Sequence, residues 1–368
     1  MSQASSDERW MRRAFDLAQH GRWTTWPNPM VGCVVVKDDQ TLGEGWHERH
    51  GEAHAEVNAL RQIAPHVDLG RATAYVTLEP CSHHGKTPPC ADLLIDRGIG
   101  TVVVGAQDPN PMVAGRGVAR LREAGIEVRM GTLEQVAEGF YAKFAHAMLE
   151  PTPWVTLKWA QSSDGRLDPE HDPALARGGH PLTGRESGIH THGLRACHDG
   201  ILVGMRTLLI DLPSLTTRHV AGSNPRRFVV TQGHTAPPSR GQIAEGPWTL
   251  LCPFSATDTP AMKAWQSQGH EVIGMEENLF SHGWWSSFKA QTQVRACMVE
   301  GGARVAQAVL DSGCWNECHV LTAPHAIKQG LEAPAKPAGQ PAHETTLGED
   351  TLQTWVNPQP NGQPCRPS

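Results

Sequence analysis

The fold is decided by the stretch from residue 54 to residue 90, which contains His54-Ala55-Glu56, then Glu79-Pro80-Cys81 and finally Cys90. One imidazole and two thiolates form a three-ligand zinc set that leaves the fourth position to water. Zinc acidifies that water towards neutral pH, so hydroxide forms without a strong base. A carboxylate beside the metal can then take the proton and pass it to a departing amine. The pattern predicts zinc at His54, Cys81 and Cys90, with Glu56 as the proton carrier of a nucleobase deaminase.

The spacing of these residues also predicts their local structure. His54 and Glu56 stand two positions apart, and such positions in a regular helix point to different sides. We therefore expect both at the entry of a helix, where the chain is not yet fully helical. Cys81 follows a predicted strand, and Cys90 directly precedes a predicted helix, whose positive dipole end favours a thiolate.

A purely structural zinc site is the alternative interpretation. It would need a fourth protein ligand, for which His83 and His84 are candidates. Any one of these residues alone is more often structural, since a free cysteine is usually a buried small hydrophobe. Their occurrence together and in this order favours the catalytic interpretation.

Composition excludes several other classes of protein. The 368 residues carry a net charge of −6 without any basic stretch, which argues against a nucleic-acid partner. No apolar run approaches the roughly 18 residues of a membrane span, and Met1 to Arg13 lacks the apolar core of an export signal. The nine cysteines are an odd number and are irregularly spaced, as expected for reduced thiols. We expect a cytoplasmic protein without membrane partners.

Hydrophobic periodicity predicts alternating helices and strands in the first half, and therefore an α/β sandwich with a largely parallel sheet. The predicted helices are 7–19, 55–63, 91–97, 118–123 and one that ends near 148. The predicted strands are 31–36, 41–46, 72–77, 101–104 and 126–129.

A domain boundary is predicted at Glu150-Pro151-Thr152-Pro153, where two prolines follow the helix that ends near residue 148. Beyond it the alternation restarts. The predicted strands are 154–159, 200–203, 227–231, 248–251, 296–300 and 319–322, with helices between them, notably 304–310. No structure is predicted for 333–341 or for the tail after residue 357, because both are rich in proline and glycine.

Besides the zinc motif, the first half contains Asn28-Pro29-Met30-Val31-Gly32 and Asp108-Pro109-Asn110-Pro111, and with these motifs it closely resembles the RibD family of riboflavin-biosynthesis enzymes. The Cys81-to-Cys90 spacing is wider than the two-residue gap of cytidine and tRNA-adenosine deaminases, which speaks against free nucleosides or tRNA as substrates. The resemblance rests on this spacing, on His54-Ala55-Glu56, on Asn28-Pro29-Met30-Val31-Gly32 and on Asp108-Pro109-Asn110-Pro111. It implies a cytidine-deaminase-like three-layer α/β/α domain over residues 1–149, which removes the 2-amino group of 2,5-diamino-6-(5-phosphoribosylamino)pyrimidin-4-one.

By position in these motifs, the resemblance implies a set of residues that contact this phosphorylated pyrimidine. They are Asn28, His47, His83, Lys86, Asp108 and Asn110. Amide and cationic groups suit a ring edge and a phosphate monoester. The structural alternatives are a turn-forming Asn-Pro, a solvated lysine and an Asx-turn at Asp108.

The second half resembles the family's NADPH-dependent reductase domain, which has a dihydrofolate-reductase-like α/β fold and would span residues 152–356, with 357–368 as a disordered tail. The matching blocks are 158–165, 194–196, 199–204, 207–218 and 299–302. The resemblance implies a catalytic Lys158, and a hydride transfer that opens the ribosyl ring to a ribityl chain. The implied substrate contacts are Arg195, Leu215, Arg218 and Glu300, and the implied NADPH contacts are Gln161, Thr207, Asp211 and the Gly302 turn.

Physical reasons support these roles, since a Gly-Gly turn before a helix offers N–H groups to cofactor phosphates. Arg195 and Arg218 can clamp the substrate phosphate. The chain departs from the family pattern at a few positions. They are Ser163, Gly179, Pro181, Leu212 and Arg304. The alternatives are therefore a deaminase with a degenerate reductase domain, or a non-catalytic zinc- or nucleotide-binding module.

The second half is also rich in histidine between Gly178 and His198. This cluster could suggest a second metal, but we interpret it as satisfied surface histidines. A homo-oligomer is plausible for a two-domain enzyme of this kind.

Overall fold

The computed structural model describes residues 3–82, 88–111, 113–169, 182–239 and 241–358. The chain forms two compact units, residues 1–149 and residues 150–368. No helix of the described residues is both long and apolar enough to cross a membrane.

A five-stranded sheet forms the centre of the first unit, with the order β2-β1-β3-β4-β5. Its strands are β1 (Gly32–Lys37), β2 (Gln40–Trp46), β3 (Thr73–Leu78), β4 (Thr101–Ala106) and β5 (Glu127–Met130). The pairs β3/β4 and β4/β5 are parallel, whereas β1 is antiparallel to both β2 and β3. The predicted sheet is therefore parallel on one side only, because the β1–β2 hairpin reverses the chain direction on the other.

Helices cover both faces of this sheet. They are α1 (Gln3–Ala18), α2 (Ala55–Leu60), α3 (Cys90–Asp96), α4 (Arg116–Glu123) and α5 (Glu134–Leu149). Side chains alternate between the faces of a strand, so Cys33 and Val35 of β1 pack with α2, α3 and α4, while Val34 and Val36 pack with α1 and α5. Burial on both faces explains the continuous apolar run of β1. The three-layer α/β/α prediction is confirmed.

Two glycines of β2 bring α2 unusually close to the sheet. A Cβ atom on Gly43 would lie 2.3 Å from the Ala59 carbonyl oxygen, and one on Gly45 would lie 2.4 Å from the Ala59 nitrogen. The absence of side chains at these positions lets the helix backbone rest on the strand. The glycines thus fix the depth at which the first turn of α2, with Glu56, is held.

The second unit is built on a nine-stranded sheet with the order β11-β10-β9-β8-β12-β6-β13-β16-β15. Its strands are β6 (Trp154–Gln161), β8 (Gly200–Gly204), β9 (Arg226–Val230), β10 (Thr249–Pro253), β11 (Glu271–Met275), β12 (Ala296–Val299), β13 (Glu317–Thr322), β15 (His343–Leu347) and β16 (Asp350–Val356). The strands from β11 to β13 are parallel, and β16 and β15 add an antiparallel edge. A separate pair joins β7 (Arg166–Pro169) to β14 (Gly330–Glu332).

Helices connect the parallel strands of this unit. They are α6 (Arg185–Ala196), α7 (Met205–Asp211), α8 (Pro260–Ser267), α9 (His282–Thr292) and α10 (Ala303–Ser312). One apolar cluster lies under α9 and α10 and includes Trp284 and Phe288, and the other contains Trp248 and Trp265. The six predicted strands are all present within two residues of their predicted ends. The segment 333–341 contains no helix or strand, as expected.

Candidate active sites

His54 is the N-cap of α2. Its backbone is extended, with φ −74° and ψ 165°, and the helix begins at the next residue. The expectation that His54 and Glu56 lie at a helix entry is therefore confirmed. This geometry turns the His54 ring out of the helical side-chain pattern, while Glu56 occupies the first turn with only 3% of its surface exposed.

Cys81 and Cys90 complete the cluster. Cys81 lies in the segment that follows β3, and Cys90 is the first residue of α3, one position earlier than predicted. The Nδ1 atom of His54 lies 3.5 Å from the Cys81 sulfur and 3.3 Å from the Cys90 sulfur. Within the described part of the chain, these three are the group that can hold a metal, with their ligand atoms within 4.8 Å of one another. One imidazole and two sulfurs fit zinc.

The electrostatics of the two sulfurs suit metal binding. A hydrogen bond from Cys90 lowers the pKa of Cys81 to about 4 against the opposing effect of burial, and His54 contributes further. The same hydrogen bond and burial raise the pKa of Cys90. The Cys81 sulfur also accepts a 3.3 Å hydrogen bond from the Cys90 backbone N–H. These shifts favour the thiolate form of Cys81, and zinc would displace the proton from Cys90.

Glu56 lies beside these sulfurs. Burial raises its pKa, the charge of Cys81 raises it further, and a hydrogen bond with Cys90 acts in the opposite direction. A carboxyl group in this position can exchange a proton with any molecule held at the metal position.

Asn28 and His47 form a second pair next to the cluster. The His47 ring packs edge-on against the His54 ring with 5.5 Å between centroids. Its Nδ1 atom lies 3.0 Å from the Ala53 carbonyl oxygen, and its Nε2 atom lies 3.2 Å from the amide nitrogen of Asn28. The Ala53 contact places the proton on Nδ1, so Nε2 accepts from Asn28. His47 thereby orients the Asn28 amide and leaves its oxygen available.

The loop that carries Asn28 is anchored by a buried network. The hydroxyl group of Tyr141 lies 2.9 Å from the Met30 carbonyl oxygen and 2.7 Å from the Thr77 hydroxyl, which in turn accepts a hydrogen bond from the Gly32 N–H. Helix α5 therefore fixes this loop to strand β3.

Glu79 is a site residue to which the sequence analysis assigned no role. Its carboxylate is 96% buried, since only 4% of the residue is exposed. It accepts hydrogen bonds from four backbone N–H groups, those of Asp108 (3.3 Å), Gly115 (2.9 Å), Gly117 (2.9 Å) and Val118 (3.1 Å). The signal was its place in the Glu79-Pro80-Cys81 motif, but the sequence did not show which donors it meets.

The segment between β4 and α4, which donates to Glu79, also carries the predicted substrate residues Asp108 and Asn110. The Asn110 N–H donates a 2.8 Å hydrogen bond to a carboxylate oxygen of Asp108, so the Asx-turn interpretation is confirmed. The turn uses one oxygen of Asp108, and its substrate role stays a prediction.

In the second unit, Glu300 is the centre of an ion-pair network. The guanidinium of Arg195 donates to both of its oxygens at 2.8 and 2.9 Å, and the Lys158 ammonium lies 3.3 Å away. Burial raises the pKa of Glu300, but Lys158 and Arg195 outweigh it and the net shift is downwards. Glu300 is therefore ionised. Arg195 also donates to the Thr216 carbonyl oxygen at 3.0 Å, so three of its five N–H groups are used within the protein.

The predicted cofactor residues collect at the carboxyl ends of neighbouring strands. Gln161 ends β6, the Gly302 turn follows β12, and Thr207 lies on α7 just after β8. The Gly302 N–H donates a 3.0 Å hydrogen bond to the Thr207 hydroxyl, and Gln161 accepts one of 2.9 Å from the Trp159 indole. Ligands of open α/β sheets bind at this edge. Asp211 is the last residue of α7.

The loop after α7 carries the two remaining substrate candidates. Leu215 is buried and adopts a left-handed backbone with φ 52°, and the exposed Arg218 donates to the hydroxyls of Ser214 and Thr216. Leu212 is also left-handed, with φ 47°. An aspartate, which the family pattern has there, tolerates this conformation better than leucine does.

Comparisons with known proteins agree with both sites. Residues 4–106 match the cytidine and deoxycytidylate deaminase zinc-binding region, and residues 153–333 match the RibD C-terminal domain. The riboflavin biosynthesis protein RibD of Bacillus amyloliquefaciens is 38% identical over 339 residues, which cover 91% of this chain and 88% of that protein. The chain belongs to the RibD family.

Solved structures of the RibD family extend the match to the fold. RibD from Acinetobacter baumannii has 32% identity and a TM-score of 0.78, over 96% of this chain and 99% of that one. A diaminohydroxyphosphoribosylaminopyrimidine deaminase/5-amino-6-(5-phosphoribosylamino)uracil reductase from Thermotoga maritima has 29% identity and a TM-score of 0.80, over 97% and 100%.

As a member of the RibD family, the chain is a bifunctional enzyme of riboflavin biosynthesis, with zinc and NADPH as its cofactors. The predicted pair of a cytidine-deaminase-like domain and a reductase domain is confirmed. The family supports the bifunctional interpretation over a deaminase alone, a nucleoside or tRNA deaminase, and a non-catalytic module.

Some of the residues discussed in the sequence analysis lie outside the part of the chain that the structure describes. They are His83, His84, Lys86, Gly179, Pro181 and the tail from 359 to 368. Ser163 and Arg304 are described, and both are exposed. The interpretation of the histidines before His198 as satisfied surface residues is wrong for His192, which is 6% exposed and has a buried nitrogen without a hydrogen-bond partner among the described residues.

Proposed function

We propose that residues 1–149 carry out the deamination of 2,5-diamino-6-(5-phosphoribosylamino)pyrimidin-4-one, with His54, Cys81 and Cys90 as the zinc ligands and Glu56 as the proton carrier. The convergence of three ligand atoms within 4.8 Å of one another beside a buried carboxyl group carries this assignment. Zinc, when bound, supplies a water acidic enough to lose its proton near neutral pH.

Deamination forms a bond from the oxygen of water to C2 and breaks the bond from C2 to the 2-amino nitrogen. Glu56 is placed to carry the proton that the water gives up to this amino group, which leaves as ammonia. Its burial keeps bulk water from competing for the proton. The Asn28 amide, oriented by His47, is a neutral group that suits a pyrimidine edge. We assign the other contacts with this substrate to His83, Lys86, Asp108 and Asn110 on the strength of the motif alone.

We infer that residues 152–356 then reduce the deaminated product. NADPH supplies the hydride to C1′ of the ribosylamino sugar. Ring opening leaves an oxygen that needs a proton, and the Lys158 side chain, held 3.3 Å from Glu300, is the candidate donor. Arg195 orients Glu300 through its two hydrogen bonds.

The remaining roles follow from position. Arg218, exposed beside the buried Leu215, is assigned to the substrate phosphate, a role that the guanidinium fork suits. We assign Gln161, Thr207, Asp211 and the N–H groups of the Gly302 turn to NADPH. Gln161, Thr207 and the Gly302 turn lie at or just after the carboxyl ends of β6, β8 and β12, which supports their assignment.

We further propose a homo-oligomer in the cytoplasm. Strand β15 ends the nine-stranded sheet and offers an edge to a second copy. The reduced state expected for nine irregularly spaced cysteines supports the location. Sedimentation velocity would measure the oligomeric state.

A coupled assay of the purified chain tests the two activities together. We expect ammonia release without NADPH, and ribityl product with stoichiometric NADPH oxidation when it is added. Oxidation of NADPH without ribityl product would contradict the reductase assignment, and comparable turnover of cytidine would contradict the substrate.

A further inference from the structure

His192 on helix α6 is a buried side chain that the assigned roles leave unexplained. It is 94% buried, since 6% of the residue is exposed, and its Nδ1 atom has no hydrogen-bond partner among the described residues. Two other buried histidines of this unit have partners. His198 contacts the Leu194 carbonyl oxygen at 2.6 Å and the Thr156 hydroxyl at 2.9 Å, and His319 contacts Glu317 and Thr354. A buried nitrogen without a partner is costly, so a ligand is the expected partner.

The surroundings of His192 identify the kind of ligand. The exposed His219 lies with its ring 4.4 Å away, and Arg195 follows His192 one helical turn later. Burial, together with the charges of Arg195, His219 and Arg218, lowers the pKa of His192 to about 4, and Glu300 acts in the opposite direction. The imidazole is therefore neutral at pH 7 and offers a single N–H donor in a neighbourhood of cationic groups, which suits an anion.

The hydrogen bonds of Arg195 strengthen this argument. Its Nε and Nη2 groups are bound to Glu300 and its Nη1 group to Thr216. An arginine committed to a carboxylate in this way contributes less to an incoming phosphate than a free one does. His192 and His219 lie in ring contact with each other, and Arg218 is close enough to lower the pKa of His192, so these three side chains can act on one anion.

We propose that His192, together with His219 and Arg218, binds the phosphate monoester of the reductase substrate, with the Nδ1–H group of His192 as a direct donor to a phosphate oxygen. The proposal rests on the proposed function, in which Arg218 faces this phosphate. It adds two residues to a set that the motif comparison confined to Arg195, Leu215, Arg218 and Glu300.

Two variants of His192 test the contact. In His192→Leu the donor is lost, whereas in His192→Asn the amide nitrogen takes the Nδ1 position. We expect His192→Leu to raise the reductase KM for 5-amino-6-(5-phosphoribosylamino)uracil by about 10- to 100-fold, as for a lost hydrogen bond to a charged group, with a much smaller change in kcat. His192→Asn should restore most of the affinity. The dephosphorylated substrate should show no difference between wild type and His192→Leu.

Matched measurements keep the outcomes distinct. Deaminase activity of the same chain and NADPH affinity report whether each unit is intact. An unchanged KM in His192→Leu, or an equal rise for the dephosphorylated substrate, would overturn the proposal. If Arg218→Ala raises KM while His192→Leu does not, only this inference fails. If neither variant has an effect, the phosphate assignment in the proposed function fails as well.

If His192→Leu does not bind NADPH, wild-type protein decides the question. Inorganic phosphate, titrated while imidazole nitrogen resonances are recorded by NMR, should shift the Nδ1 signal of His192. A signal that stays in place while phosphate inhibits the reductase competitively would overturn the proposal.

Discussion

The carboxylate of Glu79 accepts a 2.9 Å hydrogen bond from the backbone N–H of Gly117, at the N-terminal end of α4. Gly117 also packs against the Pro80 carbonyl oxygen so closely that a Cβ atom there would lie 2.0 Å from it. The metal-ligand motif that ends in Cys81 is thus joined to the segment that carries Asp108 and Asn110. Charge at a helix N-terminus strengthens such bonds.

The first prediction concerns this carboxylate. Glu79→Gln replaces one accepting oxygen by an NH2 group that faces backbone donors. We expect the deaminase unit to lose about 2 to 3 kcal/mol of unfolding free energy, the cost of leaving buried polar groups unmatched. Denaturant unfolding would measure it. The control is Glu123→Gln, at an exposed position of helix α4, whose first turn binds Glu79. Equal stability of the two variants would contradict the role of Glu79.

The second prediction concerns the close packing of helix α2 on strand β2. In Gly45→Ala the new methyl group would lie 2.4 Å from the Ala59 nitrogen and 2.6 Å from the Ala55 carbonyl oxygen. We expect a loss of about 1 to 3 kcal/mol, as for overpacking, and a lower deaminase rate because Glu56 moves with the helix. Gly139→Ala, with open space around it, should be neutral or slightly stabilising. Full deaminase activity in Gly45→Ala would contradict this account.

Much of the fold could be predicted because local signals were strong. The run from Cys33 to Val36 is apolar on both faces of its strand, and Gly125 and Pro151 mark element ends. The order of the strands could not be predicted, because it depends on contacts distant in sequence. The edge strands β11 and β15 were missed, since a short segment such as 343–347 is exposed and shows no apolar alternation.

The metal ligands could be predicted because their spacing and residue types are specific. The hydrogen bonds of Glu79, and the lack of a hydrogen-bond partner for Nδ1 of His192 among the described residues, could not be predicted. Both depend on which residues the tertiary structure brings together. The hydrogen bonds between Arg195 and Glu300 could not be predicted either, because the two residues are 105 positions apart in the sequence. The expected phosphate contact of Arg195 did not take these bonds into account and stays a prediction.

The third prediction is a pH dependence in the reductase unit. The pKa of Glu300 is lowered in the folded state by Lys158 and Arg195. A lowered carboxyl pKa stabilises the fold fully above the ordinary glutamate value of about 4.3, and this contribution is lost as the pH falls through the lowered value. We expect Glu300→Gln to lower the free energy of unfolding by about 3 kcal/mol near pH 7. This gap in stability between wild type and variant should narrow only below about pH 4.3. Thermal melts at a series of pH values would show this, and a constant gap would contradict it.

The fourth prediction concerns metal removal. Since His54, Cys81 and Cys90 all lie in the first unit, a chelator should abolish ammonia release and leave NADPH oxidation with the deaminated substrate intact. Added zinc should restore the first activity. Parallel loss of both activities would show that the metal supports more than the deaminase.

The assignment of Glu56 as the proton carrier is tested most directly by Glu56→Gln, which keeps the size of the side chain and removes its basic oxygen. Ammonia release and zinc content should be measured on the same sample, with Glu52→Gln, an exposed position just before the cluster, as the control. We expect full zinc content with a deaminase rate reduced by roughly 10²- to 10⁴-fold. A variant that keeps its zinc and deaminates at the wild-type rate would contradict the account.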